Sequence, residues 1–224
     1  MTALTYDPPI VIDPPKSADA AVIWLHGLGA DGNDFEPITP MLGPIVASTR
    51  FVYPHAPMVP VTINQGMVMR AWYDITLDGD QFVTSKAGVL ASQEYLEGLI
   101  QAQVDKGIAA ERIIVAGFSQ GGAIALHTAL RAQRRLGGLM ALSTYLPFPE
   151  TLAAERSDAN LELPIFMGHG EFDPMIQLSR AAQSRDQLRE LGYSVQWEQY
   201  RMEHSVSPQE INDIAAWLGQ VLGT

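Results

Sequence analysis

A chain of 224 residues with 47% hydrophobic and 17% charged residues has a globular composition, and we expect one domain spanning residues 1–224. The formal net charge of −11 argues against nucleic acid as a partner, because phosphate recognition needs a basic surface. The absence of cysteine excludes disulfides, thiolate metal sites and a cysteine nucleophile.

The N-terminal residues Met1–Pro9 lack the basic segment and apolar run of a secretory signal. No stretch approaches the ~18 consecutive apolar residues that a membrane span needs. We therefore expect a cytoplasmic protein without stable membrane insertion, whose contact with a lipid substrate would be peripheral. The sequence does not decide whether the protein forms a weak homodimer.

The first elements are short strands separated by loops. Leu4–Ile12 is interrupted by proline, which predicts an edge strand, whereas the apolar run Ala20–Leu25 predicts a buried one. The glycine-rich segment His26–Gly32 follows, where backbone N–H groups can be exposed. After a short strand at Phe51–Tyr53, the chain up to Asp80 has little helical periodicity, and we expect a long functional loop there.

Large apolar side chains are frequent in that loop, and they would either line a groove for an acyl chain or cover the sheet. They are Met58, Val59, Val61, Ile63, Met67, Val68, Met69, Trp72 and Tyr73. We select Met67 and Trp72 as candidate substrate-binding residues, together with Leu146 and Met175 from later in the chain. The groove predicts a preference for acyl chains longer than acetyl.

The second half of the chain alternates strand and helix patterns. Ala87–Asp105 predicts a helix because its apolar residues recur at helical spacing, and Gly107 follows its end. The later predicted elements are strand Ile113–Phe118, a helix to about Arg134, strands Gly138–Ser143 and Leu163–Gly170, helix Gln177–Leu191, strand Tyr193–Tyr200 and helix Ser207–Leu218. This alternation indicates an α/β fold, a mainly parallel sheet with helices on both faces.

A single serine stands between a buried strand and a helix start. Ser119 follows the strand Ile113–Phe118 and is flanked by Gly117 and Gly121, which leave room for a tight strand-to-helix turn. In such a turn the hydroxyl projects above the sheet edge, and the backbone N–H of Gln120 faces the same region. The alternative is that Ser119 is an ordinary helix cap.

A base and an acid follow later strands, in the chain order that a serine hydrolase of this topology requires. Asp173 follows the predicted strand Leu163–Gly170, and His204 follows the strand ending near Tyr200. We predict that His204 takes the proton of Ser119 and that Asp173 orients the imidazole. The backbone N–H groups of Gln120 and Leu28 would hold the developing oxyanion.

The remaining histidines have simpler interpretations. We expect His26 and His169, each before a glycine at a strand end, to brace loops by hydrogen bonds. His55 would order the loop between its flanking prolines, and His127 would be a packed or surface imidazole. Because no histidine has convincing metal-ligand spacing and carboxylates are not clustered, we predict no metal site.

Taken together, the motifs resemble the phospholipase/carboxylesterase family of small α/β-hydrolases, which includes acyl-protein thioesterases. The residues that carry the resemblance are His26-Gly27-Leu28-Gly29, Pro54-His55-Ala56-Pro57, Trp72-Tyr73-Asp74, Gly117-Phe118-Ser119-Gln120-Gly121-Gly122, Leu142-Ser143-Thr144-Tyr145-Leu146-Pro147, His169-Gly170 with Asp173-Pro174, and Met202-Glu203-His204. The resemblance implies an α/β-hydrolase fold without a large cap domain, the triad Ser119, Asp173 and His204, oxyanion donors at Leu28 and Gln120, and no cofactor. The family often has glycine where Thr144 and Glu203 stand here, which puts the substrate range in doubt.

We therefore predict a serine carboxylesterase that hydrolyses short- to medium-chain esters or thioesters through an acyl-enzyme on Ser119. Acyl-protein thioesterase and lysophospholipase activity are the alternatives, and a peptidase or acyltransferase would share the same triad. From a different class, a non-catalytic binding protein on a hydrolase scaffold stays open, because a fold does not determine a function.

Overall fold

The computed structural model describes residues 4–79 and 81–223, and a seven-stranded sheet forms its centre. The strands are β1 (Ile10–Ile12), β2 (Ala20–Leu25), β3 (Thr49–Tyr53), β4 (Met58–Val61), β5 (Met67–Arg70), β6 (Ile75–Asp78), β7 (Gln81–Thr84), β8 (Ile113–Phe118), β9 (Gly138–Leu142), β10 (Ile165–Gly170) and β11 (Val195–Tyr200). The order in the large sheet is β1-β3-β2-β8-β9-β10-β11. Only β1 is antiparallel to its neighbour in this sheet, as its position at the edge beside prolines allows.

Helices cover both faces of the sheet. They are α1 (Lys86–Asp105), α2 (Gln120–Arg131), α3 (Pro149–Glu155), α4 (Leu178–Glu190) and α5 (Pro208–Leu222), with 3₁₀ segments at Glu36–Ala47, Thr62–Asn64, Ala110–Arg112 and Asp158–Asn160. Side chains of α1 to α4 build the core on one face, and α5 packs on the other face with the 3₁₀ segment Glu36–Ala47. Among the described residues, no helix has the combined length and hydropathy to cross a bilayer.

The central strands are buried on both faces, which explains their composition. Every residue of β2 and β8 is buried, and the two strands pair in parallel, with Val22 opposite Ile114. Strands buried on both faces read as continuous apolar runs rather than as alternating patterns. The predicted α/β-hydrolase fold, a mainly parallel sheet with helices on both faces, is confirmed, and no cap domain is present within residues 4–79 and 81–223.

The segment predicted as one long irregular loop is instead two β-hairpins. Strand β4 pairs with β5 and strand β6 pairs with β7, both antiparallel. Between them, Asp74 holds the first hairpin by accepting hydrogen bonds from the N–H and hydroxyl of Thr62, at 2.7 and 2.6 Å. The strand signal was weak because these short, partly exposed hairpins include Pro60 and show no clean alternation. Asp80, the predicted end of the loop, lies outside the described residues.

Two helical segments longer than three residues were not predicted. The 3₁₀ segment Glu36–Ala47 contains Pro40 and Pro44 and is kinked at Gly43, where φ is 74°. The short helix α3 begins with Pro149, directly after Phe148 in a left-handed conformation. Proline and glycine inside these segments hide the helical periodicity that identifies longer helices.

Candidate active site

Ser119 lies in a sharp turn between β8 and α2. Its φ of 54° and ψ of −119° are rare for a residue other than glycine. The surrounding backbone maintains this conformation, since the N–H of Ser119 donates to the carbonyl of Leu142 in β9 at 2.9 Å. The predicted turn is therefore present, and it joins the end of a buried strand to the start of a helix.

Glycines let this turn pack backbone against backbone. A Cβ placed on Gly121 would come within 2.4 Å of the carbonyl oxygen of Leu25, at the end of β2. A Cβ on Gly117 would lie 2.3 Å from the carbonyl group of Gly121. No side chain fits at either position, so these two glycines are required by close approach.

Three side chains from separate loops form one hydrogen-bonded chain. Nε2 of His204 lies 2.9 Å from Oγ of Ser119, and Nδ1 of His204 lies 2.7 Å from Oδ2 of Asp173. Asp173 follows β10 and His204 follows β11, as the sequence predicted. The parallel strands bring their carboxyl ends to the same edge of the sheet, which is why residues far apart in the chain meet there.

The Asp173 carboxylate is held in one orientation. Its Oδ1 accepts hydrogen bonds from the backbone N–H groups of Met175 at 2.8 Å and Ile176 at 2.9 Å. Its side chain has no exposed surface. Oδ2 is thereby directed at His204, which favours the imidazole tautomer with its proton on Nδ1 and leaves Nε2 free to accept the serine proton.

The loops that carry Asp173 and His204 also support each other. The N–H of Phe172 donates to the carbonyl of Met202 at 3.1 Å. The ring of Phe118 packs against the His204 imidazole, with 4.7 Å between the ring centroids. Sequence reasoning did not identify Phe118, although its position directly before Ser119 places it beside whatever that serine contacts.

The two predicted oxyanion donors both belong to segments that adjoin Ser119. Gln120 is the first residue of α2, where backbone N–H groups have no acceptor within the helix. Leu28 lies in the turn after β2, next to Gly27, and a Cβ on Gly27 would be only 3.4 Å from Cβ of Ser119. Both segments therefore lie close to Ser119, and the role of their N–H groups as oxyanion donors remains a prediction.

The other histidines have the bracing and packing roles predicted for them. The N–H of Ala56 donates to Nε2 of His26 at 3.0 Å, and burial lowers the pKa of His26 to about 4, so this imidazole is neutral. His169 lies 2.8 Å from the carbonyl of Ile176, and burial lowers its pKa as well. His55 accepts from Gly32 at 3.1 Å, and His127 packs edge-on against Phe148.

The prediction that Trp72 lines an acyl groove is wrong. This residue is 1% exposed, and its indole Nε1 donates to the carbonyl of His26 at 2.8 Å inside the core. Tyr73 and Val61, for which lining a groove and covering the sheet were both open, are equally buried, which favours the second interpretation. At Trp72 and Tyr73, the backbone is held at the start of α2 by hydrogen bonds to the side chain of Gln120.

The remaining groove candidates lie at two different places. Met67 and Met175 are 64% and 71% exposed, on the β4–β5 hairpin and beside Asp173. Leu146 is buried after β9 and lines a separate cavity. Within residues 4–79 and 81–223, no three His, Asp or Glu side chains are grouped as a metal site would need.

The two departures from the family pattern, Thr144 and Glu203, differ in burial. Thr144 is buried beneath the turn, where its hydroxyl donates to the carbonyl of Ser119 at 2.7 Å. Glu203 is exposed beside His204. Thr144 therefore supports the turn, and Glu203 adds its charge to the solvent side.

The sequence profile of the phospholipase/carboxylesterase family matches residues 7–222. The chain belongs to this family. It is therefore a serine hydrolase, and the alternative of a non-catalytic binding protein loses its support.

Individual relatives and solved structures give a more specific comparison than the family as a whole. The chain is 38% identical to acyl-protein thioesterase 1 of Neurospora crassa, over 99% of this chain and 95% of that protein. Among solved structures, acyl-protein thioesterase 2 of Zea mays superposes with a TM-score of 0.86 at 26% identity, covering 97% of this chain and all of that one. SOBER1 of Arabidopsis thaliana gives a TM-score of 0.84 at 29% identity, covering 91% and 99% of the two chains.

Proposed function

We propose that this family member hydrolyses fatty acyl thioesters, and carboxylic esters by the same chemistry, through a covalent acyl-enzyme on Ser119. The observation that carries the proposal is the hydrogen-bonded chain from Ser119 through His204 to Asp173. The names of relatives such as acyl-protein thioesterase 1 of Neurospora crassa favour an acylated cysteine as substrate over a short-chain ester.

In the first half of the reaction, Oγ of Ser119 attacks the carbonyl carbon while Nε2 of His204 takes the hydroxyl proton. Asp173 stabilises the imidazolium that forms. The carbonyl oxygen becomes an oxyanion, held by the backbone N–H groups of Leu28 and Gln120. The intermediate collapses, the bond to the leaving thiolate or alkoxide breaks, and His204 returns the proton to that group.

In the second half, water replaces the leaving group. His204 takes a proton from this water as its oxygen attacks the acyl carbon, and the same N–H groups hold the second oxyanion. Collapse breaks the bond to Oγ, His204 reprotonates Ser119, and the carboxylic acid leaves. Every step uses side chains and backbone groups of this chain.

The leaving group decides between ester and thioester more than the nucleophile does. A thiol has a pKa of about 8.5, far below that of an aliphatic alcohol, so expulsion of a thiolate needs less help from His204. A variant with impaired proton donation should therefore keep more thioesterase than esterase activity.

Cytoplasmic location remains a prediction from the sequence.

The first experiment is labelling with a fluorophosphonate probe, followed by measurement of the intact mass. We expect one adduct on the natural protein and none on Ser119→Ala. Correctly folded natural protein without an adduct would contradict the proposed nucleophile.

The second experiment compares an S-octanoyl cysteine peptide, p-nitrophenyl octanoate and an octanoyl lysophospholipid under the same conditions. We expect the highest kcat/KM for the thioester peptide. Hydrolysis of the p-nitrophenyl ester alone would reject the thioesterase assignment and favour a plain carboxylesterase.

A further inference from the structure

A cavity of about 530 Å³ lies between strand β7, the segment after β9 and helix α4. Phe82, Val83, Leu146 and Phe148 provide its apolar wall. Phe82 and Val83, both in strand β7, are exposed, whereas Leu146 is buried. The cavity is therefore lined by both polar and apolar side chains, and a short methylene chain could pack against the apolar wall.

Tyr145 forms a rigid platform in this cavity. Its hydroxyl lies 3.0 Å from the hydroxyl of Tyr73 and 2.9 Å from Oγ1 of Thr84. Two hydrogen bonds from opposite segments fix the ring, which is only 8% exposed. Side chains stacked on such a ring lose little further freedom when they bind a ligand.

Arg180 stacks on this platform, with its guanidinium carbon 3.6 Å from the ring centroid of Tyr145. Stacking uses the face of the guanidinium and leaves its N–H edges available for hydrogen bonds, and Arg180 belongs to the lining of the cavity. Glu150 lines the same cavity, yet no carboxylate in residues 4–79 and 81–223 is within 4.0 Å of the Arg180 guanidinium.

A second arginine of helix α4 shows the contrasting case. Arg185 stacks over Trp197 at 4.9 Å and pairs with Asp186 at 2.7 Å. Arg185 therefore forms an ion pair with a carboxylate of this chain, whereas none of the described carboxylates forms an ion pair with Arg180. The two residues have the same charge, helix and type of aromatic contact, so Arg185 is a matched control.

The segments that build this cavity also carry the triad. Thr144 donates to the carbonyl of Ser119 at 2.7 Å, and Tyr145 is the next residue. Helix α4 begins five residues after Asp173, and Ser184 of this helix accepts from the N–H of Leu146 at 2.9 Å. Tyr145, in the lining of the cavity, is therefore one residue away from a side chain that contacts the Ser119 backbone.

We propose that Arg180 binds a carboxylate of the ester or thioester substrate, so that the cavity selects substrates with an anionic end. A guanidinium with free edges binds a carboxylate bidentately, and the apolar wall suits the methylene chain between that carboxylate and the scissile bond. With a formal net charge of −11, the protein repels anions in general, which makes a local cation decisive for them. The carboxylate can belong to the acyl chain, as in a dicarboxylic acid half-ester, or to the leaving group.

The inference rests on the proposed hydrolysis at Ser119, and matched substrates separate the two. The acyl pair is the mono-p-nitrophenyl ester of suberic acid against p-nitrophenyl octanoate. The leaving-group pair is para-carboxyphenyl octanoate against para-carbamoylphenyl octanoate. For each pair, the measured quantity is the ratio of kcat/KM for the anionic ester to kcat/KM for the neutral one.

We expect Arg180→Met to lower this ratio about tenfold or more in one of the two pairs, because a charge-assisted contact is lost. Arg180→Lys should keep part of the ratio, since a point charge replaces the planar fork. Arg185→Met changes the net charge equally and should leave the ratio within about twofold. A fall in the suberate pair places the carboxylate on the acyl chain, and a fall in the other pair places it on the leaving group.

Equal ratios for Arg180→Met and Arg185→Met in both pairs would overturn the inference. A readout without turnover comes from titration of mono-p-nitrophenyl suberate and of para-carboxyphenyl octanoate into Ser119→Ala, alone and combined with Arg180→Met. We expect one of these esters to bind about tenfold more weakly to the double variant. Absence of hydrolysis of all four esters would reject the proposed function, whereas unchanged binding would reject the role of Arg180.

Discussion

The side chain of Gln120 connects the nucleophile turn to the backbone at Trp72. Its Oε1 accepts a hydrogen bond from the N–H of Trp72 at 2.8 Å, and its Nε2 donates to the carbonyl of Tyr73 at 2.7 Å. The residue whose backbone N–H is a proposed oxyanion donor is thus held from its other end. Sequence reasoning assigned Gln120 for its backbone alone, because no motif spacing connects it to Trp72.

Gln120→Met should reduce kcat about tenfold to a hundredfold, because the N–H at this position loses the side-chain contacts that orient it. The free energy of unfolding should fall by about 1–3 kcal/mol, since the buried polar groups of Trp72 and Tyr73 lose their partners. Steady-state kinetics well below the melting temperature separate the two effects. Unchanged kcat in a destabilised variant would limit Gln120 to a structural role.

Asp173→Asn should lower kcat by ~10³–10⁴-fold without unfolding the protein. The N–H groups of Met175 and Ile176 require an acceptor, so the amide oxygen of asparagine will take the place of Oδ1. Its NH₂ group then donates to Nδ1 of His204, which forces the imidazole proton onto Nε2. A protonated Nε2 cannot accept the proton of Ser119. Kinetics and thermal unfolding test this, and near-normal kcat in the folded variant would contradict the proposed orientation.

Gly121→Ala should abolish activity and destabilise the fold by more than about 3 kcal/mol, because a Cβ would meet the carbonyl oxygens of Leu25 and His26 at 2.4 and 2.5 Å. Gly98→Ala is the control. A Cβ at Gly98, exposed in helix α1, meets nothing within 4 Å, and it should raise the free energy of unfolding by roughly 0.5–1 kcal/mol. Denaturant titration measures both, and a stable Gly121→Ala variant would disprove the close packing of the turn.

Titration of Glu210 makes the folded state less stable as the pH rises. Burial, aided by the nearby Asp213 carboxylate, raises the pKa of Glu210 to about 8 from an ordinary value of 4.5. The folded protein therefore holds one more proton than the unfolded chain between these two values, and the free energy of unfolding falls as the pH rises through this window.

Glu210→Gln removes this titration and should flatten the dependence of stability on pH between about 4.5 and 8. The difference in its favour above pH ~8 should be a few kcal/mol, on the order of the pKa shift. Urea titrations at several pH values measure it, with exposed Glu190→Gln as the control. A parallel pH dependence in the natural protein and Glu210→Gln would show that Glu210 stays ionised when buried.

The order of the main elements could be predicted from the sequence, because buried parallel strands and amphipathic helices have local patterns. Strand β8, the turn at Ser119 and helix α2 are adjacent in the chain, so their apolar run, glycines and helix start indicated the elbow directly. The hairpins between Pro57 and Thr84 were missed because short, exposed strands bury too few side chains to impose alternation.

The sequence by itself determined the family, the fold class and the candidates Ser119, Asp173 and His204, since turn chemistry and the order of residues after strands are local properties. Only the tertiary structure decided that Trp72 is a core residue bonded to His26, and that Arg180 lies on the ring of Tyr145. Contacts of this kind join segments that no periodicity relates. Whether a large side chain faces the core or a cavity depends on which distant segment packs against it.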